Sequence, residues 1–220
     1  MTSMTLMKNY KKHLAVFTRY PVPGDTKTRL APALGFQGAA DLQQKMTEHI
    51  ICSLTKLQVD FDLIVELRYE GGDANLMKSW LGDGFTYRPQ GSGDLGFRMK
   101  GFFQDAFTNG SDMAVIVGSD IPGITDAVIK NAFDLLCRYD MVLGPAKDGG
   151  YYLIGMRRDL LSKTFHHFFE HITWGTDTVL HQTVNIAKTL GVKLFLMQVM
   201  EDIDRPEDML VWEKYQCMDL

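Results

Sequence analysis

Five stretches of this chain hold residue types suited to a phosphorylated ligand. RYPVPGDTKTRLAPALG, residues 19–35, sets Arg19, Lys27 and Arg29 around Pro21, Pro23 and Gly24. Proline stiffens the entry to such a loop and glycine lets the backbone turn closely. Arginine offers phosphate oxygens a two-pronged contact, lysine a point charge. The stretch lacks both the GxxxxGK[ST] of a P-loop and the GxGxxG of a dinucleotide site. A solvated basic loop is its plainer reading. GSDIPGIT, residues 118–125, puts Ser119 and Asp120 just past an apolar run, where a carboxylate can hold a divalent cation on a nucleotide. The competing role, capping the next helix, is already met by Thr125 or Asp126. QGSGDLGFRM, residues 90–99, supplies Gly93 and Arg98 at a helix start, a setting that favours phosphate or acceptor groups. GPAKDGGYYLIG, residues 144–155, carries Asp148, Gly149, Gly150 and Tyr151. It reads either as a close backbone approach or as a hairpin with an Asp-Gly turn. In MEDIDRPEDML, residues 200–210, Asp202 and Asp204 share one face of an extended segment. Asp204 reads equally as a helix cap or a metal ligand. Glu207 and Asp208 follow Pro206 in a first helical turn, where the helix dipole favours acids.

Other clusters point to packing. His167 and His171 have i,i+4 spacing on an expected helix, but HExxH is absent and Phe165, Phe168 and Phe169 surround them. The thirteen methionines read as core filler.

The elements that must position these stretches alternate short apolar runs with longer amphipathic ones, the pattern of α/β architecture. Strands are expected at 13–18, 62–67, 85–88, 114–118, 141–144, 151–156 and 193–199. Helices are expected at 37–58, 73–81, 94–107, 126–138, 178–190 and 207–215. Leu42, Met46, Ile50, Leu54 and Leu57 mark one face of the first helix. AVIVG, residues 114–118, reads as a central strand covered on both faces. These elements predict a three-layer α/β/α sandwich around a mostly parallel sheet of about seven strands. The ligand loops belong at the strands' carboxyl ends.

Composition narrows the class. The chain has 220 residues, 45% hydrophobic and 23% charged, with a net charge of −4. We expect residues 1–12 to be a tail and 13–220 to be one domain, since folds of this class run to such a size. A net acidic chain argues against a nucleic-acid coat. The acidity is local: residues 200–220 hold seven acids and two bases. Three separated cysteines give neither a disulfide framework nor a CxxC metal site. No run approaches the ~20 apolar residues of a membrane span, and the first twelve residues lack a signal-peptide core. The expected location is cytoplasmic.

The ordered set PVPGDTKTRLAPALG, GDLGFRM, SDIPGIT, GPAKDGGYYLIG, WGTDTVL and DIDRPEDM resembles one family across residues 16–210. It is a bacterial glycosyltransferase family in the nucleotide-diphospho-sugar transferase (GT-A) superfamily. It is similar to the guanylyltransferases of molybdenum-cofactor and deazaflavin synthesis. The resemblance implies a GT-A fold and a metal-dependent transferase, with Mg²⁺ or Mn²⁺ held by Asp120 and Asp204. It implies phosphate binding by Lys27 and Arg29, which with Asp120 and Asp148 are the expected catalytic residues, and an acceptor side near Asp148, Gly149, Gly150 and Tyr151. The implied partners are a nucleotide or nucleotide-sugar and a small acceptor. Sugar transfer, nucleotidyl transfer with pyrophosphate release, and a non-catalytic nucleotide-binding module all remain open at this level. Phe97 and Gly175 depart from the family pattern, which has an acid and a serine there.

Overall fold

A computed structural model describes residues 10–60, 63–162 and 164–216. Residues 1–9 of the expected tail, Asp62 of the second expected strand, and Cys217 lie outside the described residues. The strands are β1 (Lys12–Arg19), β2 (Leu63–Glu70), β3 (Thr86–Pro89), β4 (Met113–Gly118), β5 (Met141–Pro145), β6 (Tyr151–Arg157) and β7 (Leu194–Leu196). The helices are α1 (Ala31–Asp60), α2 (Ala74–Leu81), α3 (Leu95–Thr108), α4 (Asp126–Leu136), α5 (Val179–Thr189) and α6 (Met209–Gln216).

All seven strands form one sheet in the order β3-β2-β1-β4-β6-β5-β7. β6 runs antiparallel to β4 and β5, and the other pairings are parallel. The sheet is therefore mixed and mostly parallel, as expected. The central strands are buried on both faces, and their period-2 alternation sorts side chains between two layers. Leu14, Val16, Val115 and Val117 pack with Ile50 and Leu54 of α1 and Phe133 of α4. Ala15, Phe17, Ala114 and Ile116 pack with Phe102 and Phe103 of α3. A third cluster joins Leu30, Met46, Ile203 and Trp212, fastening the C-terminal segment to the loop after β1.

Local chemistry sets the helix starts. Asp73 caps α2, accepting from the N–H groups of Asn75 and Leu76. Asp94 caps α3 through the Phe97 N–H, and Thr125 caps α4 through the Val128 N–H. These bonds satisfy otherwise orphan donors of the first turn. α1 is kinked at Gly35, with φ 71°, so its regular part begins where the apolar stripe begins.

Two elements differ from expectation. The His167 segment is one 3-10 turn, Phe165–Phe168, and His171 has φ 63°. The two histidines are therefore not an i,i+4 helical pair, and the buried Phe165, Phe168 and Phe169 confirm packing as the segment's role. β7 is only three residues long. The chain beyond it pairs through a bridge between Ala146 and Met200.

Candidate functional site

Strand order reverses between β1 and β4, and loops leaving such a point open a crevice at the carboxyl edge of the sheet. Two connected cavities lie there, of about 300 Å³ and 750 Å³. They share Phe17, Arg29, Gln90, Ser119, Asp120 and Asp204.

The junction is a cluster of opposite charges. Lys27 Nζ donates to the Ile203 carbonyl at 2.6 Å and lies 3.1 Å from Asp120 Oδ1 and 3.9 Å from Asp204 Oδ1. Its side chain is 5% exposed. Arg29 Nη1 donates to Asp204 Oδ2 at 2.5 Å. Lys27 itself is left-handed, φ 50° and ψ 41°, an unfavoured state for a non-glycine residue that concentrates at ligand-binding loops. The 3-10 turn Thr28–Leu30 follows it directly. Asp120 is brought to the cluster by β4, and Asp204 by the Ile203 N–H to Asp120 carbonyl bond of 3.0 Å.

This arrangement bears on the metal the resemblance implies. Two carboxylates converge on one cation, the Lys27 ammonium. Among the described residues no group of three or more His, Cys, Asp or Glu is placed to hold an ion. Two carboxylates with the remaining ligands from substrate phosphates and water is the usual Mg²⁺ arrangement. The donor set fits such an ion.

Behind the junction the smaller cavity has a polar floor. Buried Gln43, on α1, donates to Ser119 Oγ at 2.9 Å and Thr47 Oγ1 at 3.2 Å. Thr47 meets Thr18 at 2.9 Å. Gln90 donates to the Thr18 and Arg68 carbonyls and accepts from Arg98. Glu70 lies between Arg19 at 2.7 Å and Arg98 at 3.1 Å. Burial alone would raise the Glu70 carboxyl, but hydrogen bonds from the two arginines outweigh it and hold it below the usual range.

The larger cavity is walled by the β5–β6 hairpin and the loop before α5. Asp148 Oδ1 accepts from the Gly150 N–H at 2.8 Å, making the tight turn. Gly149, φ 89°, lies so close to the next loop that a Cβ would sit 2.1 Å from the Asp177 carbonyl oxygen. The Leu180 N–H donates to the Gly149 carbonyl at 2.9 Å. Hairpin and close approach, alternatives from sequence, are thus one structure. Trp174 lies on α3, where a Cβ at Gly96 would meet the indole Nε1 at 2.3 Å. Tyr151 meets Trp174 edge-on at 6.4 Å, and burial pushes its phenol well above the usual range. Burial also raises the Asp202 carboxyl, as does the negative charge of Asp148, while Lys27 pulls the other way.

Of the expected site residues, Arg19, Lys27, Arg29, Ser119, Asp120 and Asp204 line the smaller cavity. Asp148, Gly150 and Tyr151 line the larger one. Pro23, Gly24, Gly93, Arg98 and Gly149 line neither. Gly24, φ 91°, shapes a turn in which the Asp25 and Thr26 N–H groups both donate to the Val22 carbonyl. Gly93 packs on Phe97, and Arg98 braces Glu70 and Gln90. Sequence reading assigned no role to Gln43, Gln90, Glu70, Thr18, Trp174 or Asp177, although Gln90 opens the 90–99 stretch and Trp174 and Asp177 lie in WGTDTVL. The available signal for Gln43 was a polar i,i+4 pair, Gln43 and Thr47, beside the apolar stripe of α1.

The architecture is that of the nucleotide-diphospho-sugar transferase fold. A family model described as uncharacterized protein conserved in bacteria (DUF2064) matches residues 53–176, and the chain belongs to that family. No curated protein matches it. The crystal structure of a "putative nucleotide-diphospho-sugar transferase" from Desulfovibrio desulfuricans G20 is similar at 33% identity and TM-score 0.78, over 89% of this chain and 83% of that one. The 4-diphosphocytidyl-2C-methyl-D-erythritol synthase of Anaerococcus prevotii shares the fold at 12% identity and TM-score 0.60, over 94% and 99%. Glucosyl-3-phosphoglycerate synthase of Mycobacterium tuberculosis, solved with Mn²⁺, uridine diphosphate and phosphoglyceric acid, does so at 12% identity and TM-score 0.56, over 92% and 74%.

Proposed function

We propose that this protein is a metal-dependent transferase that binds a nucleotide-sugar in the smaller cavity and passes the sugar to an acceptor in the larger one. The charge cluster at the cavity junction carries the reading: Lys27 and Arg29 interleaved with Asp120 and Asp204. Such interleaved charges suit phosphate oxygens and a cation held side by side. Lys27 and Arg29 are the groups for the phosphates, with Arg19 behind them. Asp120 and Asp204 are the groups for Mg²⁺ or Mn²⁺, which when bound supplies positive charge to phosphate oxygens. Charge grows on the leaving diphosphate, and fixed cations aimed at it lower the barrier without reorganising. The likeness to the Desulfovibrio protein supports the same reading.

A second reading, nucleotidyl transfer, is favoured by the basic loop itself. Lys27 and Arg29 would serve a departing pyrophosphate as well as a departing nucleoside diphosphate. One assay separates the two. The protein is incubated with Mg²⁺ and either nucleoside triphosphates or nucleotide-sugars, and the released phosphate species is identified. Nucleoside diphosphate from a nucleotide-sugar supports sugar transfer, and pyrophosphate from a triphosphate supports the alternative. Neither product, with no thermal stabilisation by any nucleotide, overturns both. A nucleotide at a hundred times its Kd should stabilise the fold by about 2.7 kcal/mol.

A further inference from the structure

The larger cavity differs in charge from the smaller. Its wall holds six carboxylates, Asp120, Asp148, Asp177, Asp202, Asp204 and Asp208, against three cations. Toward the junction the charges match, because Lys27 and Arg29 face Asp120 and Asp204. Away from it they do not: Asp148, Asp177 and Asp202 stand against one remaining wall cation, Arg205. Lys147 is committed to Glu201, outside the cavity wall. Asp208 is committed to the backbone N–H groups of Asp204 and Arg205. Asp148, Asp177 and Asp202 have no cation at ion-pair distance among the described residues. The same wall includes Tyr151, Tyr152, Trp174 and Leu95.

We infer that the acceptor is a polyhydroxylated compound bearing no phosphate or carboxylate, either uncharged or carrying an amine. The inference rests on the proposed transferase reading and goes past it to the acceptor's class. Each lining feature has a matching ligand group. Carboxylates accept from hydroxyl or ammonium hydrogens. Aromatic side chains in the lining suit the apolar side of a sugar ring. An anionic acceptor would bring like charge against unpaired carboxylates, which costs affinity. The acceptor class also selects between the two reactions. A hydroxyl oxygen bonds to the anomeric carbon as that carbon's bond to the diphosphate oxygen breaks. The electron pair leaves with the diphosphate, and the hydroxyl proton is released to solvent. Nucleotidyl transfer to a phosphate monoester would need the anion that this wall repels.

The test uses glucosamine, glucose and glucose 6-phosphate as probes of the full chain. Each is titrated by saturation-transfer NMR, with and without Mg²⁺ and uridine or guanosine diphosphate. The nucleotides are titrated first alone. Glucosamine is expected to bind at least about tenfold tighter than glucose 6-phosphate, with glucose between them. The double variant Asp148→Asn, Asp202→Asn should narrow that gap while leaving nucleotide affinity unchanged. Tighter binding of glucose 6-phosphate than of glucosamine overturns the inference. So does the absence of saturable binding by all three probes, or a Mn²⁺ ion found by calorimetry to need Asp148 and Asp202 rather than Asp120 and Asp204. Loss of nucleotide binding with the sugar order intact would overturn the transferase reading alone, because the probes are also titrated without nucleotide.

Discussion

The left-handed Lys27 places its ammonium between two carboxylates. In the proposed site that group has two jobs: with Arg29 it balances the pair while the cleft is empty, and it faces phosphate when the cleft is filled. Replacing it should therefore be felt mainly in nucleotide affinity. A hydrogen bond to a charged group is worth about 1.5–3 kcal/mol, so Lys27→Met should weaken Mg²⁺–nucleotide binding about 10- to 100-fold by calorimetry. Asp120→Asn makes a sharper test of the metal. It should abolish the dependence of nucleotide affinity on Mg²⁺, and an unchanged Mg²⁺ dependence would remove Asp120 from the metal site. Residue type alone marked Lys27 as a candidate for phosphate and Asp120 as a candidate for a cation. Gln43 was not, because a glutamine on a helix is ordinarily solvated, and only the tertiary fold places this one at 3% exposure against Ser119.

At the scale of elements, the β5–β6 hairpin and the loop before α5 form one wall because Gly149 lets them touch. Gly149→Ala must bear both a left-handed backbone at φ 89° and a Cβ 2.1 Å from the Asp177 carbonyl oxygen. Gly175→Ala bears only the first, at φ 77° with open space around it. The left-handed state costs a non-glycine residue about 1–2 kcal/mol. Urea denaturation should show Gly175→Ala losing about that much and Gly149→Ala about 3 kcal/mol or more. Equal losses would mean that the contact with Asp177 contributes nothing. Sequence pattern located the helices and strands because their periods and caps are local. The residues 144–155 stayed ambiguous because an Asp-Gly-Gly turn suits any hairpin, and its docking partner lies on another loop.

At the scale of the whole molecule, the sheet buries a charge network beneath α3. His13, Glu66 and Arg68 are all under 9% exposed. Glu66 accepts from Arg68 and lies 3.4 Å from His13, and Arg68 also pairs with Asp105 at 2.6 Å. Arg88 approaches Glu66 at 3.9 Å. Burial would raise the Glu66 carboxyl, but the His13 and Arg68 interactions outweigh it and hold it below 4.5. A carboxylate depressed in the folded state contributes stability above its unfolded value, and that contribution is lost as pH falls through its folded value. Unfolding free energy by urea should therefore drop on acidification below about pH 4.5. Glu66→Gln should flatten that drop. An unaltered pH profile in the variant would assign the acid sensitivity to other carboxylates, Glu70 first among them.

The sequence by itself determined the element order, the doubly covered β4, the Thr125 cap of α4 and the residue types suited to phosphate and a cation. All of these follow from periods of 2 and 3.6 and from contacts within a few residues. The pairing of Arg29 with Asp204, 175 residues apart, was decided only by the tertiary structure. So were the Gln43–Ser119 floor and the surplus of carboxylates in the larger cavity. Sheet order and the reversal at β1 and β4 bring these groups together, and local periodicity carries no term for which strand lies beside which.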